Sequence, residues 1–257
     1  MLVERVAVGN MLPGGVPFND CNVNPTWRAH VQTSDGVKVA FVKLIEPRSL
    51  YIECVCAVIG RSLGLPIPAP LIVKVTNTAL SDIPHGEARL AFGSEDAKYP
   101  SFRRYINSDS KEAMDKLAAF SKTLDVGIFD EWVANWDRNI GNMLYDGKDD
   151  FYFIDHENAI PQGLAYNVPA RGNEILRCLY SHLSEFEKHK LSKAVSSTFI
   201  PNFRSLPFAL LSEKTMASHY LGDDEITEVV CFLTERLNCI NALFDHRVDI
   251  KQQGMAI

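Results

Sequence analysis

The sequence predicts an α+β architecture in two lobes, strand-rich over residues 1 to 106 and helical over residues 107 to 257. Three observations carry that prediction. In the first part, apolar residues come in short alternating or Val- and Ile-rich runs bounded by Gly, Pro, Asp or Ser, the pattern of strands. In the second part they recur every three or four residues, the pattern of helices that bury one face. A chain of 257 residues, 46% hydrophobic and 23% charged, suits a globular protein with a sizeable core, long enough for one large domain or two lobes.

In HVQTSDGVKVAFVKL, residues 30 to 44, two extended runs flank Ser34-Asp35-Gly36, a strong hairpin signal. Side chains alternate along a strand, so Val37, Val39, Phe41 and Lys43 share one face. A lysine at that strand end can snorkel to solvent or serve a site. Ser49 reads as the N-cap of a helix over residues 50 to 63, with Tyr51, Val55, Val58 and Ile59 at helical spacing and Gly64 as its stop. LPIPAP (65 to 70) is an extended connector, because each Pro steers the residue before it away from the helical region. LIVKV (71 to 75) and ARLAF (88 to 92) read as strands.

From Asp109 the chain turns helical. Asp109 and Glu112 have capping-box spacing, and Met114, Leu117, Ala118, Ser121 and Leu124 line one face. FDEWVANW (129 to 136) reads as a second helical stretch. Further helices are predicted at 184 to 199, capped by Ser184 and Glu187, and at 224 to 246. In the last, Ile226, Val230, Leu233, Leu237, Ile240 and Phe244 form a core-facing stripe too short for a coiled coil.

Composition excludes several classes. The net charge is -6, and no Lys and Arg run is long enough to track a phosphate backbone, so nucleic acid is not an expected partner. MLVERVAVGNMLPGG is too polar and too broken by Gly and Pro for a signal peptide. No apolar run approaches the roughly 20 residues that span a bilayer. The cysteines Cys21, Cys54, Cys56, Cys178, Cys231 and Cys239 show no CxxC pairing and read as buried free thiols. The expectation is a soluble, cytoplasmic protein.

Chemistry concentrates in NWDRNIGN (135 to 142) and the following MLYDGKDDFYFIDHENA (143 to 159). So many short polar groups between two hydrophobic elements suit a turn, since Asn and Asp bond their own backbone. They also suit a site that coordinates a metal and handles a proton. Met143 to Tyr145 and Phe151 to Ile154 are short strands joined by a turn at Asp146-Gly147. Paired antiparallel, they bring Asn142 and Asp155 about 5 Å apart, where an amide oxygen and a carboxylate can share one divalent cation. Asp137, five residues before Asn142, lies at the same open end and can orient a substrate hydroxyl. Protein kinases divide the labour in this way, and they add a strand lysine for the phosphates and a helix glutamate to hold it. Lys43 ends a strand, and Glu53 follows in the next helix on a face with Cys56, Ala57 and Gly60. His156 reads as structural, because neighbouring strand residues face opposite ways. Arg138 could pair with a carboxylate or with the substrate.

This conjunction resembles the HipA-like kinases, a branch of the protein-kinase-like superfamily with an N-x-D-x-x-x-x-N loop followed by a strand ending in a metal-binding Asp. The matching residues are Asn135, Asp137, Asn142 and Asp155. The Lys43 strand, the Glu53 helix and LGLPIPAP are similar to the shorter single-chain members. The likeness covers residues 30 to 160 by motif and the C-terminal helices by type alone. It implies a bilobal protein-kinase-like fold, ATP and Mg²⁺, and phosphoryl transfer to a Ser or Thr hydroxyl, with a protein as the acceptor. Asp137 would then be catalytic, Asn142 and Asp155 would hold the metal, and Lys43, braced by Glu53, would bind phosphate. Phe102, Tyr105 and Ile106, where the chain passes between lobes, would meet the nucleotide base. By analogy the family also suggests a regulatory or antitoxin partner.

The sequence departs from the family in three places. Asn139 stands where such loops often carry His, and Asp155 is followed by His156-Glu157 instead of Phe-Gly. No G-x-G-x-x-G is present, and Gly14-Gly15 is the nearest candidate for backbone contact with phosphate. The missing glycine loop keeps a second reading open, a pseudokinase that binds nucleotide or a partner without transfer. A third is a metal-dependent hydrolase around Asp137 and Asp155, to which Lys43 would be indifferent.

Overall fold

The hairpin at Ser34-Asp35-Gly36 forms as the turn signal predicts, with Gly36 at φ +113°, a conformation that favours glycine. The computed structural model describes residues 4–18, 24–106, 110–180 and 183–250. Its strands before residue 100 are β1 (Ala7–Met11), β2 (Val16–Pro17), β3 (Thr26–Thr33), β4 (Gly36–Lys43), β5 (Pro70–Thr76) and β6 (Ala88–Glu95), with helix α1 (Pro47–Ser62) between β4 and β5. They pair in the order β1-β5-β6-β4-β3-β2, and β1 pairs with β3 as well as β5, which closes the sheet into a small barrel. Only β1–β5 is parallel. β1 and β2, absent from the sequence reading, follow one track along β3, separated by a bulge that contains Gly14 and Gly15.

The barrel interior holds Met11, Ala29, Val31, Ala40, Val42, Leu71, Val73, Val75 and Ala91. Closure needs small residues: a Cβ on Gly93 would lie 2.8 Å from Val73 Cγ2, and one on Gly9 would lie 2.5 Å from Val31 Cγ1. In β4 it is therefore Ala40 and Val42 that point inward. Val37, Val39, Phe41 and Lys43 share the outer face, as alternation requires, with Val37 exposed. Lys43 stands opposite Phe92, whose side chain belongs to the second core, around α1.

Helix α1 starts three residues earlier than Ser49 predicts. Pro47 takes the first helical position, where its missing N–H costs nothing, and Glu46 is the N-cap. From Leu50 to Gly60 every residue is buried. The helix lies between the barrel and the C-terminal part, so it has no solvent face to mark with polar spacing.

The C-terminal part comprises α2 (Arg103–Ile106), α3 (Ser110–Ala119), α4 (Thr123–Trp132), the hairpin β7 (Met143–Tyr145) and β8 (Phe151–Phe153), α5 (Glu174–Tyr180), α6 (Glu185–Ala194), α7 (Ile200–Arg204), α8 (Leu211–Lys214) and α9 (Asp223–Arg247). The expected face through Ser121 and Leu124 is interrupted after Ala119, where buried Thr123 Oγ1 donates to the Leu117 carbonyl. Helix α4 stops at Trp132, not at residue 136, because Asn135 folds back: its amide and its Nδ2 donate to the Asp130 carbonyl and Oδ1 at 2.8 and 3.1 Å. The Ser184–Glu187 capping box is present. Helix α9 matches its expected span, although Val229, Phe232 and Arg236 join the buried stripe and Val230 lies at its edge. Asp109 and Cys21 lie outside the described residues. Cys54 and Cys56 are buried free thiols as expected, but Cys231 is exposed. Among the described residues no helix is long and apolar enough to cross a membrane.

Candidate active site

NWDRNIGN is a splinted loop, and its three asparagines do the splinting. Asn135 Oδ1 accepts from the Asp137 amide at 3.4 Å. The Nδ2 groups of Asn139 and Asn142 both donate to the Asp137 carbonyl, each at 3.0 Å. Asn139 Oδ1 also caps the single 3-10 turn Ile140–Asn142 by accepting from the Gly141 amide at 2.8 Å. The Asp137 backbone is thus fixed from three sides, while its carboxylate is half-buried and takes a 3.1 Å hydrogen bond from Asn158 Nδ2. Turn and site are not alternatives here, since the turn chemistry positions the acid.

Behind the loop lies a dry network centred on Arg138. Its Nε and Nη2 donate to the two oxygens of Asp130 at 2.9 and 3.0 Å, and both side chains are fully buried. Nη1 donates to the carbonyls of Asn142 and Ile154, the residues just outside β7 and β8 at the open end of the hairpin. Nη2 also donates to His156 Nε2 at 2.8 Å. Arginine only donates, so Nε2 is the acceptor and the ring proton sits on Nδ1, which faces Glu53 Oε2 at 3.8 Å. Burial, then Arg138 and Lys43, hold the His156 pKa well below the ordinary histidine range, so the ring is neutral. His156 is structural, as expected, and Arg138 pairs with a carboxylate.

The hairpin pairs Met143 with Phe153, which sets Asn142 opposite Ile154 and places Asp155 one residue beyond. The Ile154 amide donates to the Asn142 carbonyl at 3.1 Å. Asp155 adopts φ +65°, a left-handed conformation that Asp tolerates better than most residues. Its Oδ1 lies 2.7 Å from Lys43 Nζ. Lys43 also meets Glu53 Oε1 at 3.1 Å and Glu157 Oε2 at 3.0 Å. The expected lysine–glutamate pair is therefore formed, and Asp155 joins it. Burial lowers the Lys43 pKa, but the three carboxylates outweigh it and hold the ammonium above the ordinary lysine range. Glu53 is pushed up, by burial first and by Asp155, against the pull of Lys43 and the His156 amide. The carboxylates of Glu53, Asp155 and Glu157 offer oxygens within 4.8 Å of one another, a donor set suited to a hard divalent cation.

Three features escaped the sequence reading. Asp130 lies in a run that reads as an ordinary amphipathic helix. Glu157 stands where the kinase pattern has Phe-Gly, and because β8 ends at Phe153 and Asp155 is left-handed, only the fold returns it to Lys43. Asn24 gave no signal: its Nδ2 donates to both Glu157 oxygens at 2.9 Å. The three residues expected to meet the base sit at the hairpin. Phe102 is fully buried among Tyr145 and Phe151, its amide donates to the Met143 carbonyl at 2.8 Å, and the Tyr105 amide is taken by the Phe102 carbonyl. Tyr105 packs edge-on against Tyr145, and Ile106 packs against the same core. Their packing belongs to the hairpin core, and the backbone donors of Phe102 and Tyr105 are already spent.

Comparison with known proteins supplies a family and a fold. A family model described as HipA-like kinase matches residues 32–168, which include Lys43, Glu53, Asp137, Asn142, Asp155 and Glu157. Among solved structures the chain is similar to the Helicobacter pylori proinflammatory kinase CtkA, with a TM-score of 0.53, 12% identity, and coverage of 91% of this chain and 94% of that one. At that identity the likeness speaks for the fold. No curated protein matches the sequence. The family match spans more than half of the chain and contains every residue of the cluster and the splinted loop, and the chain belongs to the HipA-like kinase family.

Proposed function

We propose that this HipA-like kinase uses ATP and Mg²⁺ to phosphorylate a Ser or Thr hydroxyl on a protein acceptor. The observation that carries the reading is the meeting of Lys43 with Asp155 at 2.7 Å across 112 residues of chain, braced from behind by Glu53. It supports a bilobal reading in which residues 1–106 supply the phosphate-binding lysine and residues 107–257 supply the acid and the metal ligands.

In this reading Asp155 and the amide oxygen of Asn142 hold Mg²⁺, whose bound charge would offset that of the phosphates. Asn142 Nδ2 is spent on the Asp137 carbonyl, so the side-chain oxygen is the atom left for a cation. Lys43, released from its carboxylates as phosphate oxygens arrive, holds them with charge-assisted hydrogen bonds. Asp137 accepts the hydrogen of the attacking hydroxyl. Phosphoryl transfer asks for little base strength and much positioning, and the three-sided hold on Asp137 suits that demand. Asp137→Asn should keep ATP binding and lose transfer of labelled γ-phosphate to protein. Equal transfer by variant and wild type would reject the assignment.

One observation favours a second reading, a pseudokinase that binds nucleotide or a partner. Gly14 and Gly15 lie in a bulge along the β3 edge, and Gly15 packs against Met11, not in a hairpin loop open to phosphate. Transfer that vanishes in Asp137→Asn would exclude it.

A further inference from the structure

Glu157 is hard to explain as a structural residue. Three carboxyl groups face one ammonium at Lys43, which at neutral pH formally leaves two negative charges without a partner. Lys43 donates to Asp155 and Glu157 and pairs with Glu53, and its one charge cannot offset three carboxylates, so like charges repel within the cluster. The nearest other donor is the neutral amide of Asn24, which braces both Glu157 oxygens at 2.9 Å and brings no charge. Deeper in, fully buried Glu53 turns Oε1 toward the cluster, and that oxygen accepts no hydrogen bond among the described residues; Lys43 at 3.1 Å is its charge partner. A buried acceptor whose partner is an ammonium shared with two further carboxylates, all within 4.8 Å, marks a position short of positive charge.

We propose that Glu157 is a further ligand for the divalent cation, acting beside Asp155 and oriented by Asn24, and this rests on the kinase reading of the same site. The residue pair Asp155 and Glu157, with neutral His156 turned inward between them, replaces the single-carboxylate arrangement that the sequence motif suggests. Asn24 acts as a positioning residue that fixes the orientation of the Glu157 carboxylate beside Lys43.

The test is Mn²⁺ uptake by the full chain in the presence of ADP, followed by the paramagnetic resonance signal of free Mn²⁺, with ADP affinity measured separately in EDTA. For Glu157→Gln the expected result is a loss of Mn²⁺ affinity of about tenfold to a hundredfold, with metal-free ADP binding retained. Wild-type Mn²⁺ uptake in Glu157→Gln, together with its loss in Asp155→Asn, would overturn the inference and leave the kinase reading standing. Tighter ADP binding in Glu157→Gln with and without metal would also overturn it, making Glu157 a mere counter-ion of Lys43. No Mn²⁺ uptake by the wild type would overturn both readings. If Glu157→Gln loses ADP in EDTA as well, Glu157→Asp decides: recovered Mn²⁺ uptake supports the ligand role, and its failure rejects it.

Discussion

Arg138 and Lys43 are both cations set among carboxylates, on opposite sides of the contact between Glu53 and His156. Arg138 meets Asp130 through two parallel hydrogen bonds, and two carbonyls and a neutral imidazole take its remaining donors. Nothing in that network is left over: charge is balanced and every guanidinium donor has a partner. Lys43 meets three carboxylates with one positive charge, and Asp155 opens toward solvent. Balanced and closed against unbalanced and open is the physical difference between a polar group that holds the fold and one that awaits a ligand. Perturbed ionisation alone would not separate them, since both cations are held above their ordinary pKa.

Substitutions can break or sharpen this contrast. The largest effect is expected on the closed side. Arg138→Met leaves Asp130 buried without its cation and should cost about 3–5 kcal/mol in urea denaturation; a loss under about 1 kcal/mol would place Arg138 outside the structural core. Next comes the loop between the two clusters. Asp137→Asn should slow phosphate transfer on the order of a hundredfold, about 2.7 kcal/mol of barrier, with stability preserved. On the open side, Lys43→Met should weaken ATP binding by about 2 kcal/mol, roughly thirtyfold, by removing a charge-assisted partner of the phosphates. An ATP affinity indifferent to Lys43 would favour the hydrolase alternative. The smallest effect is also the sharpest contrast. Glu157→Gln should leave the ligand-free protein as stable as the wild type, or more stable by up to about 1 kcal/mol, because it removes repulsion from an over-acidic cluster. A marked loss of stability there would show that the cluster is structural after all.

Much of the site was legible because its parts are local. Asp137, Asn142 and Asp155 lie within one loop and one hairpin, where turn chemistry and strand pairing narrow the choices, although the register sets Ile154, not Asp155, opposite Asn142. Lys43 and Glu53 were legible through strand alternation and helix order, although their meeting with Asp155 is a tertiary event. What escaped depends on distant or closed contacts. The barrel closes through β1–β3, and β1 carries Gly9 and Asn10 where a strand signal would want β-branched residues. Asp130 reads as a solvated helix charge, and only the return of the chain at Arg138 makes it a buried anion. The Asn24–Glu157 bond spans 133 residues and leaves no periodic trace. Pro47 at the start of α1 is a different case: proline at the first helical position is a local start signal, and Ser49, two residues on, offers a competing one.

The central claim is that the open cluster around Lys43 is a metal-dependent nucleotide site. It is tested most directly by thermal denaturation with ATP, with and without Mg²⁺, on the wild type and Asp155→Asn. Asn tolerates the left-handed backbone of residue 155, so the variant changes charge with little strain. Ligand at a hundredfold excess over Kd stabilises the native state by about 2.7 kcal/mol. A stabilisation that requires Mg²⁺ and disappears in Asp155→Asn is the predicted result. A wild type that ATP and Mg²⁺ leave unshifted, or an Asp155→Asn variant that responds as the wild type does, would contradict the account.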